Sequence, residues 1–141
     1  MWNLGNAIEA LCGHAANRSE IERRARAEGI ACFAAAGLSR TTDEEDVLMG
    51  RELAMGTIRG GEHPGGSTWQ SLARAGSVET DYLNGEVVLL GRLHGVPTPI
   101  NEGLQTLMRE AARAVVPAGT MQLAELAIRL GQDVIGDPLP G

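Results

Sequence analysis

Two consecutive stretches of the chain carry apolar residues at intervals of three and four positions, the spacing that places side chains on one face of an α-helix. Gly95 ends the first stretch, and Pro99 begins the second, which stops before Pro117. Since glycine favours the position after a helix and proline the first helical turn, we predict two packed helices, from about Glu79 to His94 and from Pro99 onward. The positions that share a face are Leu83, Val87, Leu90 and His94 in the first helix, and Ile100, Leu104, Leu107, Ala111 and Ala114 in the second.

The rest of the chain is divided by helix caps and glycines. Ser19 with Glu22, and Thr42 with Glu45, have the spacing of a capping box, in which a hydroxyl and a carboxylate satisfy free N–H groups of a first helical turn. The further predicted helices cover about 2–12, 19–36, 42–55, 68–75 and 121–131, with a glycine-rich connection over 56–66 and a frayed tail over 137–141. We therefore predict an all-α fold in a single domain over residues 1–141.

Composition supports this fold class and bears on the partners. The apolar residues are mostly Ala, Leu and Val, with one Phe, one Tyr and two Trp, which favours helix over sheet. The formal net charge is −6, there is no lysine, and the longest basic run is Arg23-Arg24. Because nucleic-acid binding requires a basic face, we expect no nucleic-acid partner.

The N-terminal residues and the cysteines indicate where the protein is located in the cell and whether it binds a metal. The first residues lack the basic start and apolar run of a secretion signal, and no stretch reaches the length of a transmembrane helix, so we expect a cytoplasmic protein without a membrane partner. Cys12 and Cys32 have no CxxC spacing and no neighbouring histidine cluster. We therefore expect reduced thiols and no metal.

Three short motifs carry the functional information, since no nucleotide-binding loop, serine-nucleophile motif or zinc-protease motif is present in the sequence. They are Ser67 followed by Gln70, then Glu-x-Asp-x-x-Asn-Gly over 79–85, then Gly-Val-Pro-Thr-Pro-x-Asn over 95–101. In this order and at this spacing they resemble the C-terminal domain of the ketopantoate reductase family. The resemblance extends upstream to residues 3–11, Asn-Leu-Gly-Asn-Ala-Ile-Glu-Ala-Leu, and reaches about Ala114.

The resemblance implies a fold, a reaction and a cofactor. The fold would be the multi-helix domain of ketopantoate reductases and 6-phosphogluconate dehydrogenase-type enzymes. The reaction would transfer hydride from NADPH to the C2 ketone of ketopantoate, or of a related 2-keto acid, in the synthesis of pantothenate and coenzyme A. NADPH would be bound mainly by a nucleotide-binding domain that this chain does not contain, so we expect the isolated chain to be inactive.

The resemblance also assigns roles to four residues. Glu79 would be the catalytic-cleft glutamate, which holds the substrate and helps to arrange the family's catalytic lysine. Ser67 would bind the substrate's carboxylate or hydroxyl, and Asn3 and Asn6 would present amides to the substrate. The residues alone favour a simpler interpretation of Glu79, as an ordinary acid of a first helical turn. Ser67 has the alternative of a helix N-cap, and both asparagines that of polar residues in an N-terminal helix.

Asp81 and Asn84 lie about a turn apart in the predicted helix that follows Glu79. We expect them to be structural, bonded to nearby backbone or to each other.

The position of the family's catalytic lysine leaves two functions open. By position, this lysine would fall just before Met1. Two functions therefore stand: the substrate-binding domain of a reductase, paired with a nucleotide-binding domain, or a stand-alone helical module for dimerisation or protein interaction. Because reductases of this family often associate through this domain, the resemblance also implies a homodimer.

Overall fold

The computed structural model describes residues 2–13, 19–39 and 80–131, and every regular element in these ranges is helical. The prediction of an all-α fold is confirmed. Within the described ranges, a 3₁₀ turn leads into the first of five α-helices. The elements are the 3₁₀ turn Trp2–Gly5, α1 Asn6–Cys12, α2 Ser19–Ala35, α3 Thr80–His94, α4 Pro99–Arg113 and α5 Leu123–Arg129.

Glycines follow three of these helices close to the predicted positions, and Pro99 begins α4 as predicted. Gly13, Gly37 and Gly95 follow α1, α2 and α3 with φ of 83°, 66° and 70°, the left-handed conformation that glycine adopts without strain. The last helix is shorter than predicted, beginning at Leu123 rather than near residue 121. The predicted helices over 42–55 and 68–75, the connection over 56–66 and the tail over 137–141 lie outside the described residues.

Helices α3 and α4 form an antiparallel pair joined by a four-residue turn over 95–98. Asp81, at the start of α3, accepts a hydrogen bond of 2.8 Å from Arg109 near the end of α4. At the other end of the pair, Arg92 of α3 forms an ion pair with Glu102 of α4. These bridges are exposed, so the pairing depends mainly on the apolar faces between the helices.

The core lies where α1 and α2 pack against this pair. Ile8, Leu104 and Met108 are fully buried, and Val87 is nearly so. A helix of seven residues has little stability in water, so α1 depends on this packing to form. The other buried apolar residues are Leu4, Ala7, Ala10, Leu11, Ile21, Ala25, Cys32, Ile100, Leu107, Ala111, Leu126, Ala127 and Leu130.

The segment between α4 and α5 closes the C-terminal end of α1. The backbone N–H of Gly119 donates to the carbonyl of Ala10, and that of Met121 donates to the carbonyl of Leu11, each at 2.9 Å. These bonds satisfy carbonyls that the end of a helix leaves without partners. Val115 in the same segment has a φ of 52°, which is rare for a β-branched residue and marks the sharp reversal of the chain after α4.

Gly91 is a position where the fold leaves no room for a side chain. A Cβ atom there would lie 2.6 Å from the carbonyl oxygen of Val96 and 2.7 Å from Cγ2 of Thr98. We expect Gly91→Ala to lower the free energy of unfolding by about 1–3 kcal/mol, because the turn after α3 must move away. Chemical denaturation measures the change.

Gly85 on the same helix is the matched control. A Cβ atom there would meet the side-chain amide of Gln105, which can move. Gly85→Ala should therefore be neutral or slightly stabilising, since alanine is the better helix former by about 0.5–1 kcal/mol. Equal losses for the two variants would contradict the close approach at Gly91.

Candidate functional site

The predicted substrate-binding asparagines lie at the N-terminal end of the described structure. Asn3 lies in the 3₁₀ turn, and its side chain is outside the described part. Asn6 is the first residue of α1, and its side chain is half-buried. Ser67 and Glu79 fall outside the described residues, so their roles stay predictions. In the sequence, Glu79 directly precedes Thr80, the first residue of α3.

A buried amide pair joins this turn to α3 and α4. Asn84 and Asn101 are both fully buried. Nδ2 of Asn84 donates to the carbonyl of Leu4, in the 3₁₀ turn, at 3.3 Å and to Oδ1 of Asn101 at 2.9 Å. The structure therefore brings the turn that contains Asn3 against the helix that begins immediately after Glu79.

The carboxylate of Glu28, on α2, binds Asn101, the second residue of the amide pair. Oε1 of Glu28 accepts from the N–H of Ile100 at 2.8 Å. Its Oε2 accepts from the backbone N–H of Asn101 at 3.0 Å and from Nδ2 of Asn101 at 2.7 Å. Thr98 makes no side-chain cap at this helix start, so Glu28 caps α4 from a neighbouring helix, where a negative charge is favoured by the helix dipole.

The orientations of both amides follow from these acceptors. Nδ2 of Asn101 also donates to the carbonyl of Ala25 at 2.9 Å, so its Oδ1 must face Asn84. Nδ2 of Asn84 then uses both of its hydrogens, on Leu4 and Asn101. Its Oδ1 has no hydrogen-bond partner within the part of the chain that the structure describes, which leaves one buried acceptor open for a donor.

Sequence reasoning located Asn84 but not its partners. Asp81 does not bond to Asn84; it accepts from Gln105 at 3.0 Å and from Arg109 at 2.8 Å, both across the helix pair. Glu28 was not predicted as a structural residue, although a signal exists. It falls at helical spacing on the buried face of α2 that carries Ile21, Ala25 and Cys32, where an acidic residue needs donors.

A groove of about 210 Å³ lies at the C-terminal ends of α1 and α4 and contains none of the predicted site residues. Its walls are mainly apolar, among them Leu11, Leu107 and Ala111. Its charged residues, Glu110 and Arg129, bond to each other at 2.7 Å. We therefore assign the groove no part in substrate binding.

The two cysteines are free thiols. Burial, and then the Glu125 carboxylate, raise the pKa of Cys12 to about 11. Burial, and then the Glu28 carboxylate, raise the pKa of Cys32, whose Sγ donates to the carbonyl of Val87 at 3.6 Å. Within residues 2–13, 19–39 and 80–131, no group of three His, Cys, Asp or Glu side chains could hold a metal ion.

These pKa shifts predict slow thiol chemistry. At pH 8 a thiol with a pKa of about 11 has roughly 100-fold less thiolate than one with a pKa of 9, so Cys12 should react with a disulfide reagent about 100-fold more slowly in folded protein than in urea. The raised pKa favours the folded state below pH 9, and this contribution should be lost as the pH rises through 11. Equal reaction rates in folded and unfolded Cys32→Ser protein would contradict the burial of Cys12.

Comparison with known proteins decides the family. The sequence profile of the family described as "Ketopantoate reductase PanE/ApbA C terminal" matches residues 4–112. This range contains the second half of the 3₁₀ turn, helices α1 to α3 and nearly all of α4. The chain belongs to this family. The ketopantoate reductase resemblance drawn from the motifs is confirmed.

A solved structure supports the same assignment. The crystal structure of a PanE/ApbA family ketopantoate reductase from Ralstonia eutropha JMP134 matches with a TM-score of 0.61 and 28% sequence identity. The match covers 80% of this chain and 39% of the reductase, so this chain corresponds to well under half of that protein. No curated protein matches the chain significantly.

The family match places the buried amide pair within the ketopantoate reductase domain. Glu28, Asn84 and Asn101 all lie inside the matched range, whereas α5 lies beyond it.

In the part that the structure describes, no helix is long and apolar enough to cross a membrane.

Proposed function

We propose that this chain is the substrate-binding part of an NADPH-dependent reductase that acts on ketopantoate or a related 2-keto acid. One observation carries the proposal: the family match covers residues 4–112 and so includes the motifs of the sequence that contain Asn6, Ser67 and Glu79. The bond from Asn84 to Leu4 adds support, because it joins the N-terminal turn to the helix that follows Glu79.

The proposed residues would bind and orient a small anionic keto acid. Ser67 and the amides of Asn3 and Asn6 are neutral donors suited to a carboxylate or hydroxyl. Glu79 would accept from a substrate hydroxyl and position the group that protonates the ketone oxygen. That group is a lysine in the family, and this sequence has no lysine. We therefore propose that the lysine lies in a segment outside this chain.

NADPH supplies the hydride in this proposal, and the described residues do not fit its diphosphate. Dinucleotide-binding sites place a glycine-rich loop between a strand and a helix N-terminus. Every regular element of the described ranges is helical, so these residues offer no such loop. We therefore propose that a separate nucleotide-binding domain holds NADPH, in cis or in trans, and that the chain alone does not reduce the substrate.

Hydride transfer from a chimera tests the proposal. The part of the Ralstonia eutropha reductase that this chain does not match would be fused ahead of this chain, which would replace the part of the reductase that it does match. We expect NADPH oxidation with ketopantoate by the chimera and none by the chain alone. Glu79→Gln in the chimera should lower kcat/KM about 100-fold, the scale of one positioned acid–base group, whereas Glu86→Gln on exposed α3 surface should not.

A negative result is informative when folding and NADPH binding are verified. A folded chimera that binds NADPH and still leaves ketopantoate and other 2-keto acids unreduced would contradict a substrate-binding role. The function of the chain would then have to be that of an interaction module.

A further inference from the structure

We propose that Asn84 is a positioning residue, which fixes the N-terminal turn so that Asn3 and Asn6 face the substrate. The inference rests on the proposed function, because it assumes that these two asparagines bind substrate. Asn84 itself is fully buried and would act through the turn, not by touching the substrate.

The position of the bonded carbonyl supports this role. Leu4 lies between Asn3 and Asn6 in the sequence, so its carbonyl belongs to the backbone that carries both asparagines. Asn84 donates to this carbonyl from α3 across 80 positions of the sequence. At the next residue, a Cβ atom on Gly5 would lie 2.8 Å from Cδ of Glu22, so α2 also packs closely on the turn. The turn is therefore held by two contacts, one with α2 and one with the Asn84 amide.

Asn84 is in turn held by partners on two other helices. Its Nδ2 also donates to Oδ1 of Asn101 on α4 at 2.9 Å. Asn101 donates to the Ala25 carbonyl and the Glu28 carboxylate of α2. The turn, α3, α4 and α2 are thus linked through four consecutive polar groups. A buried network of this kind orients a binding group firmly, and a displacement of about 1 Å can reduce catalytic efficiency by about 100-fold.

The hydrogen bonds that hold the turn are buried, which makes them stronger than contacts at the surface. Asn84 and Asn101 have no exposed surface, so water does not compete for these bonds. Removing the Asn84 amide would leave the Leu4 carbonyl and Oδ1 of Asn101 without this donor. We expect the turn to shift or to sample several positions, while helices α1, α4 and α5 keep their apolar packing.

The test compares Asn84→Ala with Leu126→Ala, a substitution of a fully buried residue of α5 whose aliphatic side chain makes no hydrogen bonds. Pantoate affinity would be measured by calorimetry on the full chain at a temperature where both variants are folded. Amide hydrogen exchange at residues 4–8 would be measured in parallel. We expect Asn84→Ala to weaken pantoate binding at least about tenfold and to speed exchange in the turn about tenfold relative to Leu126→Ala, which should bind pantoate normally.

The outcomes distinguish the inference from the proposed function. Loss of affinity in proportion to stability in both variants, or unchanged exchange in the turn of Asn84→Ala, would overturn the positioning role. Absence of pantoate binding by folded wild-type chain would contradict the proposed function, and with it the positioning of substrate-binding amides, whatever the exchange shows. If Asn84→Ala does not fold, Asn84→Ser provides the same comparison with a smaller volume change.

Discussion

Glu28→Ala is expected to lower the free energy of unfolding by about 3 kcal/mol. The substitution leaves the N–H groups of Ile100 and Asn101, and Nδ2 of Asn101, without their shared acceptor. Hydrogen bonds to a charged group contribute about 1.5–3 kcal/mol each, and a donor left buried without a partner costs about as much. The expected loss is less than the sum because water can reach part of the half-buried site. Urea denaturation followed by circular dichroism measures the change.

Glu102→Ala is the matched control for this prediction. Glu102 is also acidic and lies in the first turn of α4, but it is exposed and pairs with Arg92 at the surface. Its removal should cost no more than about 1 kcal/mol, the usual range for an exposed ion pair. Similar losses for the two variants would show that Glu28 is only a surface acid near a helix start and not the cap of α4.

Ile8→Ala is expected to lower the free energy of unfolding by about 2–5 kcal/mol, the range for removing a large aliphatic side chain from a close-packed core. Ile8 is fully buried in α1, a helix of seven residues that has little stability without its packing. We also expect faster amide exchange throughout α1 in this variant. Thermal and urea denaturation measure the stability, and exchange measured by nuclear magnetic resonance locates the loss.

Ile128→Ala removes the same atoms from the surface of α5, where the side chain is 62% exposed. Its effect should stay within about 0.5 kcal/mol. A large loss at Ile128 together with a small one at Ile8 would mean that the core does not lie between α1 and the α3–α4 pair.

Local sequence signals predicted the helix boundaries well because they depend on residues near in the chain. Gly95 and Pro99 set the ends of α3 and α4 through backbone conformation alone. Two members of the predicted faces are exposed where a helix ends. His94 and Ala114 have the right spacing, but no element of residues 2–13, 19–39 or 80–131 covers them. Helical periodicity gives the direction of a side chain but not whether another helix reaches it.

The buried network could be predicted only in part, because its bonds join residues far apart in the sequence. Asn84 and Asn101 belong to the motifs that carry the family resemblance, but nothing local indicates that they bond to each other. Glu28 is 73 positions from Asn101, and its role depends on how α2 packs against α4. Of the four predicted site residues, the side chain of Asn6 alone lies in the described structure, and the roles of all four stay predictions.

Calorimetric titration of pantoate into the folded chain measures directly whether this domain binds the substrate. We expect saturable binding of one pantoate per chain. Glu79→Ala should weaken it at least about tenfold, since that change removes a charged hydrogen-bonding group, and Glu86→Ala should leave it unchanged. Circular dichroism would first confirm that all three proteins are helical. A folded wild-type chain that takes up no pantoate at millimolar concentration, or that binds it equally well without Glu79, would contradict the claim that this domain forms the substrate site of a ketopantoate reductase.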